Sequence, residues 1–319
     1  MALKLITALA GGVGAARFLE GLIRVVKDEE ISVIVNTGDD IELYGLQISP
    51  DIDIVIYTLA GIVDDEKGWG IKGDTFHCLE ALQRYGYDTW FMLGDRDLAT
   101  HIYRTHLLKK GLRLSEVIDK ERIALGVKAR IIPMTDDKVE TIMVTDKGDM
   151  HFQEYLIKRK TQDEVLKVIF KGIEKAKPAL GVIDSIIKAK GITICPSNPI
   201  VSIGTILSVP GVRDSLRETK AKIVGISPLI AGAPVKGPAD KLMSSLSRQF
   251  HIEKEEVSAY GVAKLYRDFL DAFIIDNLDA NLKEKIEALG IKVVVTDTIM
   301  KGLKEKMELA KVALKAIGV

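Results

Sequence analysis

The sequence predicts an α/β protein: a mostly parallel sheet with helices on both faces. Three observations carry that class. Short apolar runs rich in Val and Ile recur along the whole chain without polar alternation, as strands buried on both faces do. Longer stretches of helical period separate them. Almost every apolar run is followed at once by a polar or glycine-bearing turn: ALAGGVGAAR, VNTGDD, MLGDRD, IPMTDD, CPSNP, ISPL and VTDT.

In chain order, strands are expected at Leu3 to Ala8, Ser32 to Asn36, Thr89 to Leu93, Ala129 to Ile132, Ile192 to Cys195, Lys222 to Ile226, Ala272 to Ile275 and Lys292 to Val295. Helical crossovers are expected at Gly14 to Val26, Asp74 to Tyr85, Pro238 to Phe250, Val257 to Leu270, Asp279 to Leu289 and Thr298 to Ala316. Asp97 to Val127 reads as a helical insert, with Ser115 as the N-cap of its second helix. Val139 to Lys160 alternates apolar and polar residues about the turn DKGD, which predicts an inserted β-hairpin. With no repeat, linker or low-complexity tract, residues 1–319 read as one core carrying both inserts.

The bulk composition narrows the function. The 319 residues are 47% hydrophobic and 28% charged, an ordinary globular balance. Lys plus Arg and Asp plus Glu are both 45, so no long-range field favours nucleic acid or an anionic membrane. No stretch is long and apolar enough for a membrane span, and the opening MALKLITALAGG reads as a strand and turn rather than a signal peptide. Two cysteines, Cys78 and Cys195, give neither a disulfide framework nor a zinc site. Each is expected to be a small buried hydrophobe in a cytoplasmic protein.

Parallel strands joined by right-handed crossovers bring their carboxyl ends to one edge, so the turns above should meet in a crevice. Gly11, Gly12 and Gly14 before a helix offer backbone N–H groups and a positive helix end to a phosphate. Arg17 spoils the dinucleotide fingerprint, and no GK[ST] follows. A bare strand-to-helix turn is the alternative. Asp39, Asp40, Asp51, Asp53, Asp95, Asp97, Asp136 and Asp137 crowd the same loops. Carboxylates beside a phosphate-binding turn make sense where a hard cation bridges them, which points to Mg2+. For Asp97 and Asp137, helix caps are an equal reading. Ser197 and Asn198 can bond a base, ribose or phosphate, and Ser227 and Pro228 form a similar turn, for which capping is an equal reading. Arg96 is the candidate phosphate cation, with a salt bridge to nearby acids as the alternative. His101 reads as a hydrogen-bonded structural histidine, with contact to an anion as the alternative, and the five histidines show no zinc-ligand spacing.

Taken in order, GGVGAARFLEGL, VNTGDD, SPDIDIVIYTLAG, GIKGDTF, WFMLGDRDLATH, IPMTDD, MHFQEY, PSNPIVSIGTIL and SPLIAGAPVKGPADKLM resemble the 2-phospho-L-lactate transferase family over essentially the whole chain. Val201 stands where the family pattern expects Thr, and Met92 where some relatives carry a basic or polar residue. The resemblance implies a Rossmann-like core with a helical insert and a Mg2+-dependent step in coenzyme F-420 biosynthesis. Phospholactate, or phosphoenolpyruvate in some branches, passes from a guanosine diphosphate carrier to the ribityl hydroxyl of the deazaflavin 7,8-didemethyl-8-hydroxy-5-deazariboflavin, and GMP leaves. On that reading Asp40 and Asp51 hold Mg2+, Asp51 or Asp53 meets the attacking hydroxyl, and Arg96 stabilises phosphate charge. Asp51, Asp53 and Met92 face the deazaflavin, while Gly11, Gly12, Gly14, Ser197, Asn198 and Ser227 hold the nucleotide. A homodimer is expected, C2 being the commonest symmetry.

Two other readings compete. A related branch shares the glycine opening and the SNP turn without a transferase role, which allows a nucleotide-sugar-binding regulator in which Asp51 and Asp53 are ordinary cap or surface residues. A nicotinamide dehydrogenase fails because the second strand ends in Asn36 and Thr37, not in a ribose-binding acid.

Overall fold

A computed structural model describes residues 6–234, 237–246, 249 and 256–319. Seven parallel strands form the central sheet, in the order Lys292–Thr296, Ala272–Asp276, Lys222–Ile226, Gly191–Ile194, Ile6–Ala10, Ile31–Val35 and Arg130–Pro133. The lack of polar alternation has a direct cause. Along the strands Ile6–Ala10 and Ile31–Val35, Leu9 and Ile34 enter one hydrophobic core, while Ile6, Ala8, Ala10, Val33 and Val35 enter another. Each fully buried Ile or Leu adds about 1.5–3 kcal/mol, and no position on these strands faces water.

Small antiparallel sheets flank this core. Glu140–Thr145 and Gly148–His151 form the hairpin expected at 139–160, paired Thr145 to Gly148 across the turn. The expected second strand is shorter than its alternation suggested: Glu154–Lys158 winds into a wide helical turn, and Val165–Lys171 adds a third strand. A second hairpin, Ile41–Leu43 with Leu46–Ile48, turns at Tyr44 and Gly45, both at positive φ.

Several expectations are corrected. Thr89 to Leu93 is not a strand. Its apolar residues are buried without strand pairing: Phe91 and Leu93 pack with Ile48 and Leu98 in a satellite cluster, and an apolar run alone does not distinguish the two situations. The run after Pro50, for which no element was expected, is a helix, Pro50–Leu59, with proline in its first turn. Ser115 does not cap its helix. Arg113 is the N-cap of Leu114–Ala124, with Glu116 accepting its N–H at 2.9 Å, and Ser115 donates instead to Asp136. The preceding helix is Asp95–Lys109, and Gly111 at φ +89° turns the chain between the two. Cys195 is buried, and burial pushes its thiol pKa up, but Cys78 is exposed. Leu3 to Leu5, the last part of the helix expected to reach Phe250, and His251 lie outside the described residues.

The first crossover, Gly12–Leu22, and the last helix, Leu303–Ile317, cross closely, since a Cβ on Gly21 would lie 2.3 Å from the Lys306 backbone. Among the described residues no helix is long and apolar enough to cross a membrane.

Candidate active site at the sheet switch point

The first strand has the second on one side and Gly191–Ile194 on the other. Connections therefore leave in opposite directions, and the turns after Ala10 and Ile194 border a crevice at the carboxyl edge. Glycine makes their approach possible. The Gly11 N–H donates to Ser197 Oγ at 3.2 Å, and a Cβ on Gly14 would lie 2.3 Å from the Pro196 carbonyl oxygen. Gly12 sits at φ +72°, where a side chain would be strained. Asn198 Oδ1 accepts the N–H groups of Ile200 and Val201, at 2.9 and 3.2 Å, which leaves its buried Nδ2 as a donor with no protein partner.

The turn after the second strand supplies two acids, Asp39 buried and Asp40 half-buried. Asp40 Oδ2 accepts from Ser49 Oγ at 2.6 Å and Gln47 Nε2 at 3.3 Å, while Asp40 Oδ1 and Asp39 Oδ1 have no hydrogen-bond partner. Burial, with neighbouring carboxylates adding to it, raises the pKa of both well above the usual carboxylate range.

Asp51 and Asp53 occupy the first turn of Pro50–Leu59. Two residues apart on a helix, they point to nearly opposite sides. Asp51 turns to the crevice, where its Oδ2 accepts from Asn36 Nδ2 at 2.9 Å. Burial raises its pKa to about 6, against the opposing effect of hydrogen bonds from Asn36 and the Gly12 N–H.

Asp53 turns away to Arg104, a fully buried guanidinium on Asp95–Lys109. Arg104 Nη1 donates to Asp53 Oδ2 at 3.1 Å and Nη2 to Oδ1, while Nε and Nη2 donate to Glu121 at 3.2 and 2.9 Å. Next to them Tyr57 donates to Asp97 at 2.6 Å, and the buried His101 lies 3.2 Å from Asp97 and 3.8 Å from Asp53. Burial opposes ionisation of Asp97, but His101, Tyr57 and Arg104 outweigh it and hold its pKa below the ordinary value.

The contacts thus join Gly11, Gly12, Gly14, Ser197, Asn198 and Asp51, with Asp40 held at the adjoining Ser49. Besides Asp53, which is turned to Arg104, three expected residues stand apart from this network. Arg96 is exposed and forms no salt bridge with a described residue, its Nη1 donating to the Lys72 carbonyl at 3.5 Å. Met92 is exposed. Ser227 folds its hydroxyl back on Leu229. Other acids of these loops are engaged locally. Asp95 accepts the N–H groups of His77 and Cys78, Asp136 holds Ser115, and Asp137 accepts the Lys177 N–H. Asp97 is no cap; the N–H groups of Arg96 and Asp97 go to Asp74.

Sequence reasoning missed Asn36, Ser49, Arg104 and Glu121. Asn36 served only to exclude a ribose-binding acid. Arg104 and Glu121 belong to different helices, and no spacing rule joins them. The presence of unpartnered carboxylate oxygens on Asp39 and Asp40 fits a cation requirement. Among the described residues no group of three or more His, Cys, Asp or Glu is placed to hold a metal ion. A partial site suits Mg2+, which commonly takes one or two carboxylates and completes its shell with phosphate and water.

Fold and loops together define a doubly wound α/β protein whose switch-point crevice sets a glycine turn against buried carboxylates. The family model for 2-phospho-L-lactate transferase CofD matches residues 6–315. A 2-phospho-L-lactate transferase of Methanocaldococcus jannaschii is 42% identical over 317 residues, covering 98% of each chain. A phosphoenolpyruvate transferase of Streptomyces griseus is 43% identical over 316 residues, covering 97% of each. A solved structure of a UPF0052 family protein from Bacillus halodurans superposes with a TM-score of 0.63 at 15% identity, covering 98% of this chain and 99% of that one, which supports the fold. The chain belongs to the 2-phospho-L-lactate transferase CofD family and is a transferase.

Proposed function

We propose that the protein moves a phosphorylated three-carbon acid, 2-phospholactate or phosphoenolpyruvate, from a guanosine diphosphate-linked donor to the ribityl hydroxyl of 7,8-didemethyl-8-hydroxy-5-deazariboflavin. The hydroxyl oxygen bonds to the distal phosphorus, the phosphoanhydride bond breaks, and GMP leaves with the electron pair. No covalent enzyme intermediate is needed, so positioning and charge neutralisation carry the rate. Relatives bearing either donor's name are equally similar, at 42% and 43% identity. Both three-carbon units therefore stay in the proposal.

The observation that carries this reading is the Asp51 carboxylate, buried against the glycine turn, where burial pushes its pKa up to about 6. Such a group suits acceptance of the proton released by the attacking hydroxyl. Asp53 has both oxygens taken by Arg104, so we assign it to supporting the helix turn rather than to meeting the hydroxyl. Asp40 and Asp51 are the residues that would hold Mg2+, which when bound would neutralise diphosphate charge. The glycine turn, Ser197 and Asn198 receive the nucleotide, with Asn198 Nδ2 free to donate. Ser227 lies after a nearby sheet strand, exposed Arg96 offers its charge to phosphate, and exposed Met92 offers an apolar surface to the deazaflavin ring. A homodimer and a cytoplasmic place of action belong to the same proposal.

The test follows the fluorescence of the deazaflavin as protein is added, with and without Mg2+ and GDP, for wild type and Asp51→Ala. Saturable binding, weakened at least about tenfold in the variant, a loss of about 1.4 kcal/mol, is expected. Folded protein that binds GDP or a nucleotide sugar but never the deazaflavin would be a nucleotide-binding regulator instead.

A further inference from the structure

Asn36 follows the strand Ile31–Val35 and is fully buried where three loops meet. Its Nδ2 donates to Asp51 Oδ2 at 2.9 Å and to the Val201 carbonyl at 3.3 Å, and its Oδ1 accepts the Gly38 N–H at 2.9 Å. Chemistry fixes this orientation. Turned over, the amide would set its oxygen against a carboxylate oxygen and a carbonyl oxygen, and its hydrogens against an N–H.

We infer that Asn36 is a positioning residue for the transfer: by holding Oδ2 of Asp51 it fixes which carboxylate oxygen is presented over the glycine turn. This rests on the reading of Asp51 given above. The turn itself provides the geometry. A Cβ on Gly11 would lie 2.9 Å from Asp51 Oδ2, and one on Gly12 would lie 3.8 Å from Oδ1. Oδ2 is therefore packed against Gly11 and tied to the amide, whereas Oδ1 lies on the Gly12 side, where the missing side chain leaves room.

The second amide hydrogen extends the same control. The Val201 carbonyl that receives it also accepts from Thr205 Oγ1 at 2.7 Å, and Val201 N–H is held by Asn198. One buried amide thus sets the acid relative to the loop of Ser197 and Asn198 and, through Gly38, relative to the turn bearing Asp40. A displacement of about 1 Å in a reacting group costs on the order of a hundredfold in rate, so these hydrogen bonds act on turnover more than on donor binding.

Asn36→Asp tests this because the new side chain has the same shape and can still accept from Gly38 but, when ionised, cannot donate to Asp51. Asn36→Ser is the second variant, should the first not fold. Initial rates of GMP release are measured with the guanosine diphosphate-linked donor and the deazaflavin, in wild-type and Asp51→Asn backgrounds. The expected result is a fall in kcat of about a hundredfold with donor KM within about threefold. In the Asp51→Asn background the same substitution lowers kcat by less than about threefold further, because the carboxylate whose position Asn36 fixes is already gone. A folded Asn36 variant that keeps its kcat, or that loses the same factor in both backgrounds, overturns the inference. Full kcat in Asp51→Asn alone refutes the reading of Asp51 and removes the inference with it.

Discussion

The helix Pro50–Leu59 presents two acids to two different environments. On one side Asp53 meets Arg104, which also holds Glu121, so charges taken out of water are paired and hydrogen-bonded. On the other side Asp51 has Asn36 and the Gly12 N–H but no cationic side chain among its salt-bridge partners, and Asp39 and Asp40 nearby keep unpartnered oxygens. Burying a carboxylate without a counter-charge costs several kcal/mol. On the paired side the carboxylates Asp53 and Glu121 find their counter-charge within the protein. The unpaired side is the one to which the proposed function assigns a cation and the diphosphate of the donor.

Removing the central cation should separate the two sides most sharply. Arg104→Met keeps much of the volume but leaves Asp53 and Glu121 buried without their partner, and breaking such a pair costs about 3–5 kcal/mol. Asp51→Asn removes a buried charge that has no counter-ion, so it is expected to leave stability unchanged or raise it. Urea unfolding of both variants decides the matter. Equal losses would mean that the acids on both sides are structural.

The fold was more legible than this contrast. Periodicity placed the strand Lys222–Ile226 within its observed limits, because burial on both faces writes itself into the local sequence. It misread Thr89 to Leu93, where burial comes from a satellite cluster. The glycine turn and its neighbour at Ser197 were legible because strand ends in a parallel sheet must share an edge. Arg104 was not. Its partners lie 51 and 17 positions away, and only the packing of three helices brings them together. The acid count was visible, but a count carries no direction: Asp51 and Asp53 look equivalent as letters and differ by the rotation of one helix.

Protonation gives the second contrast, with opposite signs on the two sides. Asp51 is raised from 3.8 to about 6 in the fold. The folded state therefore binds its proton more tightly than the unfolded state, and that contribution is complete below pH 3.8 and is lost as pH rises through about 6. The difference is about 3 kcal/mol. Asp97 is lowered, so its contribution is present above the ordinary carboxylate range and lost as pH falls through the lower folded value. Unfolding free energies measured from pH 4 to 7 without divalent cation should show Asp51→Asn gaining on wild type as pH rises. A constant difference across that range would mean that Asp51 ionises in the fold as it does in water.

The smallest effect lies within the paired side and asks whether its members act as a network. Tyr57 is 1% exposed, and its hydroxyl donates to Asp97 at 2.6 Å. Tyr57→Phe removes one hydrogen bond to a charged acceptor that still has His101 beside it, so the expected cost is about 1.5 kcal/mol. Asp97 should then titrate at a higher pH, since Tyr57 is among the groups holding its pKa down. Combining Tyr57→Phe with Arg104→Met distinguishes a network from separate pairs: coupling through Asp97 makes the double variant depart from the sum of the single losses by more than about 0.5 kcal/mol. A strictly additive result would reduce the paired side to independent contacts and confine its support of the helix turn to Arg104.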